Sequence, residues 1–203
     1  MRYKLKIGIN LLVLIISIAC NRQSKSVESD LKSESKVTVE KFTTLTGKVY
    51  VVEIDHSAGA SICDITISPK AFTAANSIHR IENADPIKDI FLADLDKNGF
   101  EEIYIITVSA GSGSYASIYG LASNKDKSAT PVYVRPISEK QKEKGALFEG
   151  FMGHNTFTVE DGKLFESFPV YKEGDNNSKA TGGTRVVEYQ LIAGEAGWIL
   201  EPK

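Results

Sequence analysis

Hydrophobic positions in this chain come in short runs, each about one strand long, with turn residues between them. "GKVYVVEID" is dense in β-branched and aromatic residues. In "ICDITIS", Cys63, Ile65 and Ile67 share one side while Asp64 and Thr66 take the other, and only Ile62 breaks the period of two. That alternation predicts a half-buried strand with the thiol on its inner face. "IKDIFLADL" and "EIYIITVSA" follow, separated by "DKNGF", and then "YASIYGLAS" and "PVYVRPI". Within "FTVEDGKLFESFPVY", Asp161-Gly162 lies between two apolar runs, a strong hairpin signal. "TRVVEYQLI" and "GWILEP", joined by "AGEAG", complete the series. Turns at this density predict an all-β fold, an antiparallel β-sandwich or barrel, and the sandwich is the expectation adopted here.

Helical signals are confined to two places, so one or two short peripheral helices are expected. "SPKAFTAANSIHRI" offers Ser68 as an N-cap with Pro69 at the first helical position. "SEKQKEKGALFEG" starts at Ser138 and is so charged that a helix there is short and exposed. No internal repeat is evident.

The first residues have a different pattern. "MRYKLK" is basic, and "IGINLLVLIISIA" is an apolar stretch too short for a comfortable membrane span. Ser17-Ile18-Ala19-Cys20 ends it, with small residues before a cysteine as in a bacterial lipobox, although Ser17 stands where an aliphatic residue is usual. Residues 1–19 are therefore expected to be a lipoprotein signal peptide and Cys20 the acylated first residue of the mature chain. "NRQSKSVESDLKSESK" is serine-rich, charged and nearly without apolar side chains, so it cannot bury enough surface to offset its ordering entropy. It is assigned to a flexible tether, residues 20–40, with a reach of roughly 20 Å. The globular domain is assigned to residues 41–203, although strand-like sequence begins near Val37. The expected location is the cell envelope, lipid-anchored, with the outer membrane favoured because Asn21 and Arg22 carry no retention aspartate.

Composition narrows the partners. The full chain has 203 residues and a formal charge of −2. Without residues 1–19, which hold three basic residues and no acidic ones, 21 basic residues face 26 acidic ones. A mildly acidic domain with no Lys/Arg stripe gives no reason to expect a nucleic-acid partner and is compatible with a basic protein partner. Cys63 is the one cysteine left after Cys20, so an internal disulfide is excluded and a bridge could form only in a homodimer. Burial as a small hydrophobe is the ordinary state for such a thiol.

Two stretches carry candidate chemistry. In "DLDKNGFEE", Asp94, Asp96 and Asn98 occupy positions one, three and five of a DxDxNG loop, with Gly99 at six and Glu102 at nine. Oxygen ligands at this spacing, with a glycine at the sharp turn, suit Ca²⁺. The acid that calcium loops place at position twelve is missing, and a tight hairpin turn built on Asn98-Gly99 explains the same residues. No cofactor other than Ca²⁺ is suggested. His56, His79 and His154 are scattered, and HExxH, CxxC and GxSxG are absent, so an enzyme is not expected.

The second stretch, "VSAGSGSYASIYG", packs three glycines, four serines and two tyrosines between strands. Gly111 and Gly113 would let the backbone project as a narrow loop by adopting φ values that other residues avoid. Ser112 and Ser114 offer hydroxyls, and Tyr115 a rigid ring with a polar tip. Farther along, Arg185 beside Thr181–Gly183 is either a partner contact or a solvated strand-end charge.

The run "FLADLDKNGFEEIYIITVSAGSGSYASIYGLASNKDKS" resembles the periplasmic inhibitors of invertebrate-type (i-type) lysozyme. The resemblance is carried by an S-G-x-Y loop, here Ser112-Gly113-Ser114-Tyr115, after the strand that follows an acidic turn. "FPVYKEGDNNSKATGGTRVVEYQL" is similar to the family's C-terminal half. The resemblance implies a β-sandwich that inhibits the i-type lysozyme of a host or predator by inserting loops into its active-site cleft. It makes Ser112 and Tyr115 the inserted residues. It also implies a second inserted loop, which no motif locates; Thr181–Arg185, with Gly183 and Arg185, is the first choice and Asn124–Lys127 the second. The chain departs from the family in lacking a cysteine pair. The other reading left open is a calcium-stabilised extracytoplasmic adhesion or glycan-binding module.

Overall fold

The structure, a computed structural model, describes residues 36–203. The segments expected to be a signal peptide and a tether lie, with Cys20 and up to residue 35, outside the described residues. Twelve strands and one helical turn make up the described part. A four-stranded sheet holds β1 (Val37–Thr43), β2 (Val49–Asp55), β3 (Cys63–Lys70) and β4 (His79–Ala84) in sequence order. The other eight strands are β5 (Ile87–Ala93), β6 (Glu102–Val108), β7 (Ala116–Ser123), β8 (Ala129–Val134), β9 (Thr156–Glu160), β10 (Lys163–Pro169), β11 (Thr184–Ala193) and β12 (Trp198–Pro202). They form one sheet in the order β5-β6-β7-β8-β12-β11-β10-β9, curled until nearly barrel-shaped.

The expected all-β, two-sheet architecture is present, with three corrections. β1 begins at Val37, so residues 37–40 belong to the domain and not to the tether. One pairing is parallel: β12 joins β8 with Trp198 opposite Val132 and Leu200 opposite Val134. That join brings the chain's last strand beside the β5–β8 meander. Third, the helix expected from Ser68 does not form. β3 continues through Lys70, with Pro69 opposite Tyr50. β4 pairs with β3 only as far as Ile67, so Pro69 lies in an overhang bonded on one side, where a missing N–H is tolerated. The following segment is held by Thr73, Ala74 and Ala75 donating to the carbonyls of Asp126 and Lys127, while Phe72 packs against Tyr50. Tertiary bonds here outweigh the local helix signal. The second helix forms as one turn, α1 (Glu139–Lys142), with the Gln141 side chain accepting from the Ser138 N–H.

β6 is the hub. Ile103 and Ile105 pack between the two sheets with Tyr50, Val52, Cys63, Ile65 and Ile67. Tyr104 and Ile106 face the other way, into the interior of the curled sheet with Phe148, Leu164, Phe168 and Leu200. Burial on both faces explains why "EIYIITV" is a continuous apolar run. Cys63 is a buried free thiol, as expected. The Asp94 turn enters β6 at Glu102 and the Ser112 loop leaves it after Val108. The two candidate sites thus lie at opposite ends of a seven-residue strand, roughly 20 Å apart at the usual rise.

Candidate functional site

The Ser112 loop spans residues 109–115 between β6 and β7. Its base is closed by Ser109 N–H donating to the Tyr115 carbonyl and Tyr115 N–H donating to the Ser109 hydroxyl, each at 2.9 Å. Ser114 N–H donates to the Gly111 carbonyl, tightening the tip. Ser112 is exposed and Tyr115 is 47% exposed, so both can meet a partner.

The glycines do not act as expected. Neither Gly111 nor Gly113 has a positive φ; the left-handed residue of the tip is Ser114, at φ 41°. Gly113 makes room of a different kind. A Cβ there would lie 2.4 Å from the Tyr115 ring, which folds back over the glycine. Gly153, at φ +90°, has the same function from the other side: a Cβ would come within 2.3 Å of the Gly113 carbonyl and 3.1 Å of the ring. Phe151 meets the Tyr115 ring edge-on at 5.9 Å. Tyr115 is therefore cradled by two glycines and an aromatic ring, with its outer half open. The loop is a braced lip and not a free finger.

Bracing continues behind the lip. His154 N–H donates to the Gly113 carbonyl at 2.7 Å. The buried Asn155 side chain clasps the first residue of β7: it accepts from Ala116 N–H at 2.9 Å and donates to the Ala116 carbonyl at 3.0 Å. The same amide donates to Glu166 Oε1 at 2.6 Å, and Tyr189 Oη donates to Glu166 Oε2 at 2.7 Å. Burial pushes the Glu166 carboxyl up despite these two donors, which pull it down. A cleft of about 350 Å³ beside Tyr115 is lined by Tyr119, Arg135, Phe151, Asn155 and Glu166 among others.

Sequence reasoning missed Gly153, Asn155 and Glu166. One signal was present: Glu166 alternates with Leu164 and Phe168 on the inward face of β10, so a carboxylate stands in an apolar stripe.

Of the two segments considered for a second loop, Asn124–Lys127 is corrected. It follows β7 at Ser123, the far end of that strand from Tyr115, where it binds the 73–75 segment and Trp198 Nε1. Thr181–Arg185 does border the lip region, yet the residue that reaches the lip is Asn177, whose amide donates to the Ser112 carbonyl at 2.8 Å. Thr181 is tied to Asp175, and the Gly183 carbonyl accepts from Val170 N–H. Arg185 turns inward: Nη1 donates to the carbonyls of Ala146 (2.7 Å) and Leu147 (3.2 Å), and Nη2 lies 3.9 Å from Glu149. Its guanidinium is engaged within the domain.

At the other end of β6, the DxDxNG turn has the geometry of a tight loop. Asp94 accepts from the N–H groups of Asn98 and Gly99, and Asp96 accepts from the backbone and side-chain amides of Asn98. Gly99 supplies the expected positive φ, at +88°, but the residue paired with it in the left-handed region is Lys97, at 60°, and not Asn98. Glu102 is fully buried, with Oε2 accepting from Leu95 N–H. One carboxylate oxygen from each of Asp94, Asp96 and Glu102 lies within 4.8 Å of the others. Burial, and secondarily the charges of Asp96 and Asp94, push the Glu102 carboxyl up to about 8. Burial also raises Asp96, and the adjacent Asp94 adds to it.

Compared with protein-family models, curated proteins and solved structures, the chain has no match.

Proposed function

We propose that this domain is a proteinaceous inhibitor of i-type lysozyme that seats the Ser112–Tyr115 lip in the enzyme's glycan-cutting cleft. The observation that supports it most is the state of Tyr115: half-exposed, yet held by Gly113, Gly153 and Phe151 next to the exposed Ser112. An aromatic anchor fixed before binding loses little conformational freedom on docking, which is how rigid inhibitors reach high affinity. Lysozymes use two carboxyl groups, one protonated and one ionised. A serine hydroxyl can donate to the second and accept from the first, while a tyrosine ring can fill a sugar subsite. Such a plug blocks substrate without chemistry of its own. Excess negative charge on the mature domain suits a basic target. A lipid on Cys20 would hold the domain in the envelope beside the peptidoglycan it protects.

The test is peptidoglycan lysis by i-type, c-type and g-type lysozymes with the purified protein added. Slowing of the i-type enzyme is expected, and the double change Ser112→Ala, Tyr115→Ala should weaken it by about 2–4 kcal/mol, typical of central anchors. An i-type enzyme unaffected at micromolar protein rejects the proposal.

A further inference from the structure

We propose that Asp94, Asp96 and Glu102 form a calcium site at the entry to β6, at the opposite end of the strand from the Ser112 lip. The three carboxylates present oxygens within 4.8 Å of one another. That is no wider than the span between oxygens on opposite sides of a calcium ion, roughly 4.6–5.2 Å from twice its usual oxygen distance. The N–H groups of Leu95, Asn98 and Gly99 bind these carboxylates and fix their orientation. Each carboxylate oxygen accepts in two directions, so lone pairs remain on all three groups.

The burial of one member of the cluster points to a missing ligand. Glu102 Oε1 has no hydrogen-bond partner, although Glu102 is fully buried. Tyr104, next along the same face of β6, is also fully buried, and its hydroxyl has only the Glu102 carboxyl to meet, outside good hydrogen-bond geometry. Burying unpaired polar atoms is costly, and native interiors rarely leave them so. Among the described residues, no lysine, arginine or histidine forms an ion pair with any of the three acids. A divalent cation would supply the absent positive charge and a partner for Glu102 Oε1 together. The donors are all hard oxygens, with no imidazole or thiolate, which favours calcium over zinc or copper. Magnesium keeps most of its water and demands a near-ideal octahedron, a poor fit to a site whose third acid lies inside the fold. The site stands apart from the inhibitor proposal and is tested without lysozyme.

Full-length protein stripped with EDTA is titrated with CaCl₂ or MgCl₂ by calorimetry and thermal melting. Calcium at about a hundred times its Kd should raise the melting temperature by roughly 5–10 °C, and magnesium should do much less. Terbium should give tyrosine-sensitised emission that calcium displaces, because Tyr104 adjoins the site. Asp96→Asn should abolish both responses while the protein still folds, and Glu102→Gln should do the same. A melting temperature indifferent to calcium, or an equal response to both cations, or terbium emission unchanged in Asp96→Asn, overturns the proposal. In the first case a protonated Glu102 neutralises the cluster.

Discussion

Two buried glutamates, Glu102 and Glu166, occupy comparable positions and live in opposite surroundings. Each stands on an inward face of the curled sheet, beside Tyr104 and between Leu164 and Phe168 respectively. Burial raises the carboxyl pKa of both. Glu166 has both oxygens satisfied by neutral donors, Asn155 and Tyr189. Glu102 has one backbone donor and two further carboxylates for company. The sign of the neighbours therefore separates the roles. A buried acid ringed by donors is a complete network, and this one acts as a strut, carrying rigidity through Asn155 to the root of the Ser112 lip. A buried acid ringed by acids is incomplete and calls for a proton or a cation.

The largest effect is expected where the strut meets the lip. Asn155→Ala removes the clasp on both polar groups of Ala116 and the donor to Glu166 Oε1, leaving buried groups unsatisfied. A loss of about 3 kcal/mol follows, or a fall in melting temperature of roughly 6–12 °C for a chain of this size. Inhibition should fall at least about tenfold at a temperature where the variant is still folded, because Tyr115 loses its fixed pose. The calcium response at the far end should survive. Full inhibition by the folded variant would show that the lip does not depend on the strut, and a lost calcium response would show that the two ends are not independent.

A smaller effect sharpens the contrast through pH. The raised carboxyl of Glu166 means that the folded state holds its proton at pH values where the unfolded chain has released it. Its contribution to stability is complete below the ordinary carboxylate range and is lost as pH rises through the folded pKa. The titratable group facing it is Tyr189, itself raised by burial and by the Glu166 charge. Glu166→Gln mimics the protonated form: its amide oxygen can accept from Asn155 and its amide nitrogen can donate to Tyr189. Melting curves of wild type and variant should coincide in acid and separate above the unfolded pKa, with the variant flatter by at most about 1.4 kcal/mol per pH unit. Parallel curves across that window would mean that Glu166 is ionised throughout.

Much of the scaffold was legible because it rests on local signals. Cys63, Ile65 and Ile67 alternate as a strand must, and all three are buried. Asp161-Gly162 adopts φ 51° and 68°, the left-handed pair that a two-residue hairpin needs. What was not legible depends on distant partners. Pro69 reads as a helix start until the length of β4 is known, and the parallel join of β12 to β8 has no local signature. The site divides the same way. The S-G-x-Y residues and DxDxNG acids announce themselves by spacing. Asn155 acts on Ala116 across 39 residues, and Gly113 gives room to a ring folded close over it, which composition does not encode.

The smallest effect concerns the residue that sequence alone left undecided. Arg185 donates to the carbonyls of Ala146 and Leu147, and its pair with Glu149 is long and partly exposed. Arg185→Ala should therefore cost stability by about 1 kcal/mol, through the two lost bonds and with little from the ion pair. Inhibition should stay within about twofold of wild type, since the guanidinium is directed into the 146–149 segment and away from a partner. Asn177→Ala makes the matched control from the same side of the lip, because its amide holds the Ser112 carbonyl directly. Weaker inhibition in Asn177→Ala with unchanged inhibition in Arg185→Ala would show that the 172–183 excursion serves the lip as a brace on Ser112, with no contact from Arg185. The reverse order would restore Arg185 as a contact residue and require its side chain to leave Ala146 on binding.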